Sequence, residues 1–122
     1  MVRALEVIWV YDTEINPANW KMAVCVAPKF GLFFRINSRD HWEPAVEIRA
    51  ADHPFLKWDS YIECGNLLVL DDGMIEDGLV NDRPIGRIHA RIVADIRAAV
   101  TASTLISEAD KRSILNALAN VR

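Results

Sequence analysis

The stretch MAVCVAPKFGLFFRIN, residues 22–37, decides the fold class. Two short apolar runs, rich in valine, isoleucine and phenylalanine, flank Pro28-Lys29-Phe30-Gly31. Runs of that length and composition favour strands over helices. Proline restrains the turn, and Gly31 can adopt the positive φ that a tight connection needs. A β-hairpin is therefore expected, and the chain around it reads the same way. ALEVIWVY (4–11), PAVEIRA (44–50) and NLLVL (66–70) are further strand-like segments. In PAVEIRA, Val46 and Ile48 alternate with Glu47 and Arg49, the pattern of a half-buried antiparallel strand. Asn16-Pro17 and Asp71-Asp72-Gly73 supply breaks on either side.

From Gly86 the period changes. Ile88, Ile92, Val93, Ile96, Ala99 and Val100 fall at helical spacing in GRIHARIVADIRAAV, which predicts a helix over 86–100. After a polar TAST break, Ser107 precedes Glu108, Ala109 and Asp110. This is an N-cap with acidic residues at the positive helix end. Ile114, Leu115, Leu118 and Val121 form the apolar face of that second helix. Short strands that curl together, followed by two helices, make an α+β layout. The 122 residues suit one domain, with the β part over 1–80 and the helical tail over 86–120.

The net charge of −3 excludes a global positive field that would draw the chain onto nucleic acid, although local basic patches remain open. No apolar run approaches the roughly 18 residues of a membrane-spanning helix, and MVRALEVIWVYD does not read as a secretory signal. Cys25 and Cys64 form neither a CxxC pair nor a disulfide framework. Reduced core thiols in a cytoplasmic protein are expected. His41, His53 and His89 are scattered, with no metal-ligand spacing, and no glycine-rich phosphate loop occurs. No metal and no cofactor is expected.

Residues 53–62, HPFLKWDSYI, concentrate side chains that an active site could use. They also have a turn explanation, since Pro54, Asp52 and Asp59 all favour local turns. The segment resembles the HPFxxxxSY/V stretch of PemK/MazF-like proteins, the toxin branch of many bacterial toxin–antitoxin pairs. WKMAVCVAPKFGLFFRINS resembles their paired strands, and the GRI…STLIS tail their C-terminal helical region, so the likeness spans about Trp9 to Leu118. It implies a small SH3-like antiparallel β-barrel with two C-terminal helices. It also implies a homodimer, an antitoxin protein as partner, and metal-independent cleavage of single-stranded RNA. That chemistry needs a base, an acid and a cation at the phosphate, with aromatic faces for the bases.

On this likeness Ser38 matches the family's Ser/Thr at a strand end, and Arg39 or Arg35 supplies positive charge. His53, whose ordinary titration range lies near neutrality, serves either as acid or base or as a hydrogen-bonding member of its own turn. Trp20, Trp42 and Trp58 are candidate stacking faces. The family's arginine in or after the first inter-strand loop is missing. In TEINPANWK, Lys21 is the only basic residue, a point charge rather than a planar fork. Either Lys21 acts with an arginine from elsewhere, or catalysis is weak or absent. Three readings follow: a toxin-like endoribonuclease, a non-catalytic barrel module that binds a protein or peptide, and a prophage-type accessory protein. In the third, helix 86–100, carrying Arg87 and Arg91, forms a dimer interface.

Overall fold

The computed structural model describes residues 1–40 and 43–121. Six antiparallel strands form one curled sheet: β1 (Glu6–Asp12), β2 (Asn19–Ala27), β3 (Leu32–Asn37), β4 (Ala45–Ile48), β5 (Ser60–Val69) and β6 (Gly86–Arg87). Their spatial order is β4-β5-β3-β2-β1-β6. With three helices, α1 (Asp72–Asp77), α2 (Val93–Ala102) and α3 (Glu108–Ala119), this makes an α+β half-barrel; the periodicities predict its curled sheet and the two C-terminal helices.

The β2–β3 hairpin turns through a 3-10 turn at Pro28–Phe30, and Gly31 has φ +65°. Gly31 accepts a hydrogen bond from Leu70 N–H at 2.8 Å, and a Cβ there would lie 2.2 Å from the Leu70 oxygen. Only glycine fits both the conformation and the close approach. In β4, Val46 and Ile48 are buried while Glu47 is exposed, as the alternation predicts.

The sheet has an apolar core on each face. One gathers Val7, Val24, Val26, Phe34, Ile36, Ile62 and Cys64 against Ile96, Val100, Ile114 and Leu118 of α2 and α3. The other packs Ile8, Val10, Ala23, Cys25, Phe33 and Leu68, with Ile75 of α1 and Leu79 against them. A sheet covered on both faces accounts for the near-continuous apolar runs in β2 and β3.

Three elements differ from expectation. The helix predicted over 86–100 begins at Val93. Gly86 and Arg87 instead pair with Val7 and Glu6 as β6, and Ala90–Ile92 is a 3-10 turn. The stripe residues Ile88 and Ile92 are buried all the same, so burial matched the helical spacing where the backbone did not. Asp71 opens α1 rather than a plain break, since its carboxylate accepts Met74 N–H at 2.9 Å. Finally, β5 starts at Ser60, so the HPFLKWDSYI loop ends sooner than its composition suggests.

The edges of the curl, β4 and β6, are bridged by the loop after β4. His89 N–H donates to His53 Nε2 at 3.0 Å, Arg91 pairs with Asp52, and the Phe55 ring lies against Gly86. HPFLKWDSYI thus begins as a strap across the half-barrel.

Candidate functional site

One end of the sheet collects most of the predicted residues. The registers Tyr11↔Trp20, Asp12↔Asn19, Met22↔Ile36, Asn37↔Tyr61 and Ile48↔Ser60 place the ends of β1, β3 and β4 beside the starts of β2 and β5. Lys21 is half-buried there, its Nζ donating to Asn37 Oδ1 at 3.2 Å. Ser38 and Arg39 follow Asn37 and are exposed. Trp58, 60% exposed, precedes β5, and its carbonyl accepts the Ser60 hydroxyl at 3.0 Å. Trp42 lies outside the described residues, as does His41.

Two candidates are engaged elsewhere. His53 is fully buried. Its Nε2 accepts the His89 N–H, which puts the ring proton on Nδ1, 2.7 Å from the Arg49 carbonyl. Both ring nitrogens are engaged, one within the loop and one across to the segment after β6. Arg35 is also buried, at 4% exposure. Its Nε and Nη2 bind the Asp12 carboxylate, and Nη2 also binds Glu14 Oε2 at 2.8 Å. The positive charge offered for a phosphate is turned instead towards two carboxylates. The β3–β5 register jumps from Phe34↔Leu67 to Ile36↔Ile62, so Arg35 sits opposite an irregular stretch of β5 that carries Glu63. Such irregularities open space for an inward charge.

This buried network was missed in the sequence because its members come from separate strands. Burial by itself pushes the Asp12 carboxyl up. The hydrogen bond from Arg35, the Glu14 amide and the charges of Arg35 and Lys21 outweigh that and hold it below its ordinary value. Burial pulls the Arg35 guanidinium down, but bonding to Asp12 and Glu14 reverses this and raises it. Nearby, Asn37 accepts from Lys21 and donates to Glu63. The Glu47 charge, above all, pushes the Tyr61 phenol up. Burial pushes the Cys25 and Cys64 thiols up to about 12, which leaves them un-ionised and inert as nucleophiles.

The second feature is aromatic. Trp9, Tyr11 and Trp20 are 36%, 49% and 46% exposed, although they stand on regular strands. Trp9 and Tyr11 alternate with buried Ile8, Val10 and Asp12. Tyr11 meets Trp20 edge-on, with ring centroids 5.5 Å apart. Trp9 and Trp20, with Asp77, Leu79 and Val80, line a hollow of about 310 Å³. Trp9, Tyr11 and Asp77 went unrecognised in the sequence reading. The signal was present in EVIWVYD, where the large aromatics occupy the phase opposite to Ile8 and Val10.

Among the described residues, no three of His, Cys, Asp and Glu converge as metal ligands, and no helix is long and apolar enough to cross a membrane. No protein-family model matches the chain, and a search of curated proteins finds no match.

Proposed function

We propose that this chain is a non-catalytic recognition module whose sheet end takes an extended segment of a partner protein. The observation that carries the reading is the exposed trio Trp9, Tyr11 and Trp20 on rigid strands, lining one end of the half-barrel. Aromatic side chains of this kind supply large contact area at small conformational cost and are enriched at interface centres. Several of the groups that acid–base chemistry would draw on are bound internally. His53 holds its strap, Arg35 is neutralised by two carboxylates, and the thiols stay protonated. Exposed Asp77 lines the hollow beside Trp9 and Trp20, which disfavours a polyanion and favours a segment with basic residues.

A second reading, the toxin-like endoribonuclease, is favoured by Lys21, Ser38 and Arg39 reaching the same strand ends as Trp20. One pair of experiments separates the two. Mixed single-stranded RNA incubated with the protein in EDTA should stay intact. A displayed peptide library should enrich sequences that bind the wild type and lose binding to a Trp9→Ala/Trp20→Ala variant. RNA ends that appear with the wild type and vanish in Ser38→Ala and Arg39→Ala would replace the binding reading with the nuclease one.

A further inference from the structure

We infer that the hollow between Trp9 and Trp20 is a seat for one cationic side chain, an arginine or lysine of the bound segment, with Asp77 as counter-charge. This rests on the recognition reading above and gives it a chemical specificity.

The hollow is held in shape by the backbone. Trp9 N–H donates to the Gly78 carbonyl at 3.0 Å, which docks the end of α1 on the free edge of β1. The approach is so close that a Cβ on Gly78 would lie 1.9 Å from the Trp9 oxygen. Asp77, the last residue of α1, is thereby fixed beside the indoles. Its carboxylate is exposed and makes no ion pair among the described residues.

Each wall suits a different part of such a side chain. Indole faces carry negative electrostatic potential and attract ammonium or guanidinium groups. Leu79 and Val80 offer apolar surface to the methylene stem. Asp77 supplies the formal charge. At about 310 Å³ the space is at the small end of the ~300–1,000 Å³ usual for ligand pockets. It admits one long side chain. A neutral aliphatic group would partly desolvate Asp77 without pairing it, and a nucleotide would bring phosphate towards it. The rest of α1, with Asp72 and Glu76, adds the same sign of charge.

The test titrates isotope-labelled protein with N-acetyl-arginine amide, N-acetyl-lysine amide and the neutral isostere N-acetyl-citrulline amide. The readout is the indole N–H signals, assigned by single Trp→Phe variants. The cationic amides should shift the Trp9 and Trp20 signals saturably at millimolar concentration. Citrulline amide should bind about tenfold more weakly, equivalent to ~1.4 kcal/mol. Asp77→Asn, an exposed change that leaves the fold intact, should erase that preference. Equal binding of citrulline and arginine amides, or no shift with any of the three, overturns the seat. If library peptides still bind through Trp9 and Trp20 without requiring Lys or Arg, the seat alone falls. If no peptide enriches, the recognition reading falls as well.

Discussion

Asp12 is a nearly dry carboxylate in a half-barrel strand, and its partner Arg35 is just as buried. Two charges removed from water are tolerable only while they satisfy one another. Arg35→Ala should therefore cost about 3–5 kcal/mol, measured by urea unfolding, because Asp12 is left buried with its cation gone. The pH dependence follows from the lowered Asp12 carboxyl. Its native value lies below the ordinary 3.8, so the unfolded chain takes up the proton first as pH falls. The Asp12 contribution is complete well above pH 3.8 and is lost as pH drops through the lowered native value. Urea midpoints should thus fall from pH 6 to pH 3, and Asp12→Asn should flatten that slope. The cysteines give a second residue-scale expectation. With both thiols buried and held near 12, a disulfide-exchange reagent at pH 8 should label them only as fast as the chain unfolds. Rapid labelling of the native protein would contradict the burial. The sequence shows both cysteines as core residues, because each sits in an apolar strand. It hides the Asp12–Arg35 pair, because 23 residues separate its members and nothing local signals their meeting.

At the scale of elements, legibility tracked how local each cause is. The β2–β3 hairpin was readable because Pro28 and Gly31 act through their own backbone dihedrals. The Ser107 cap of α3 was readable for a similar reason, its hydroxyl accepting Asp110 N–H three residues on. The segment from Gly86 to Ile92 was misjudged because its conformation is set from outside. The edge of β1 accepts Gly86 and Arg87 into the sheet, and the Phe55 ring occupies the space a side chain at Gly86 would need. Helix α1 shows the same outside control at Gly78. Ala there would drive a methyl group into the Trp9 carbonyl, a backbone atom that cannot rotate aside. Gly78→Ala should lower stability by about 1–3 kcal/mol, the range for overpacking, and should change tryptophan fluorescence as α1 lifts from β1. Unchanged stability and fluorescence would show that α1 is not seated on that edge.

For the molecule as a whole, the decisive contact joins parts of the chain that the sequence keeps far apart. The sheet order leaves β4 and β6 as its two edges, and closing a curled sheet with open edges depends on what crosses between them. His53 is the fully buried part of that crossing. It is bonded to the Arg49 carbonyl just after β4 and to the His89 amide just after β6. The composition of HPFLKWDSYI draws attention to this histidine, and the bond from the His89 amide to it spans 36 residues that no local pattern connects. His53→Ala removes two hydrogen bonds, strands the His89 N–H while the Arg49 carbonyl keeps the Asp52 amide, and leaves a cavity beside Phe55. The stranded amide costs about 1–3 kcal/mol when it stays dry. The loss should not spread evenly. The β2–β3 hairpin sits at the middle of the sheet between two cores, whereas β6 has two paired residues and depends on the strap. Hydrogen exchange in His53→Ala should therefore accelerate first at Ile88 and Ile92, whose amides bond to Leu5 and His89, and last at Val24 and Phe34. Uniform acceleration would mean that the two edges open only when the whole molecule does, and the strap would then be one core contact among many rather than the closure of the half-barrel.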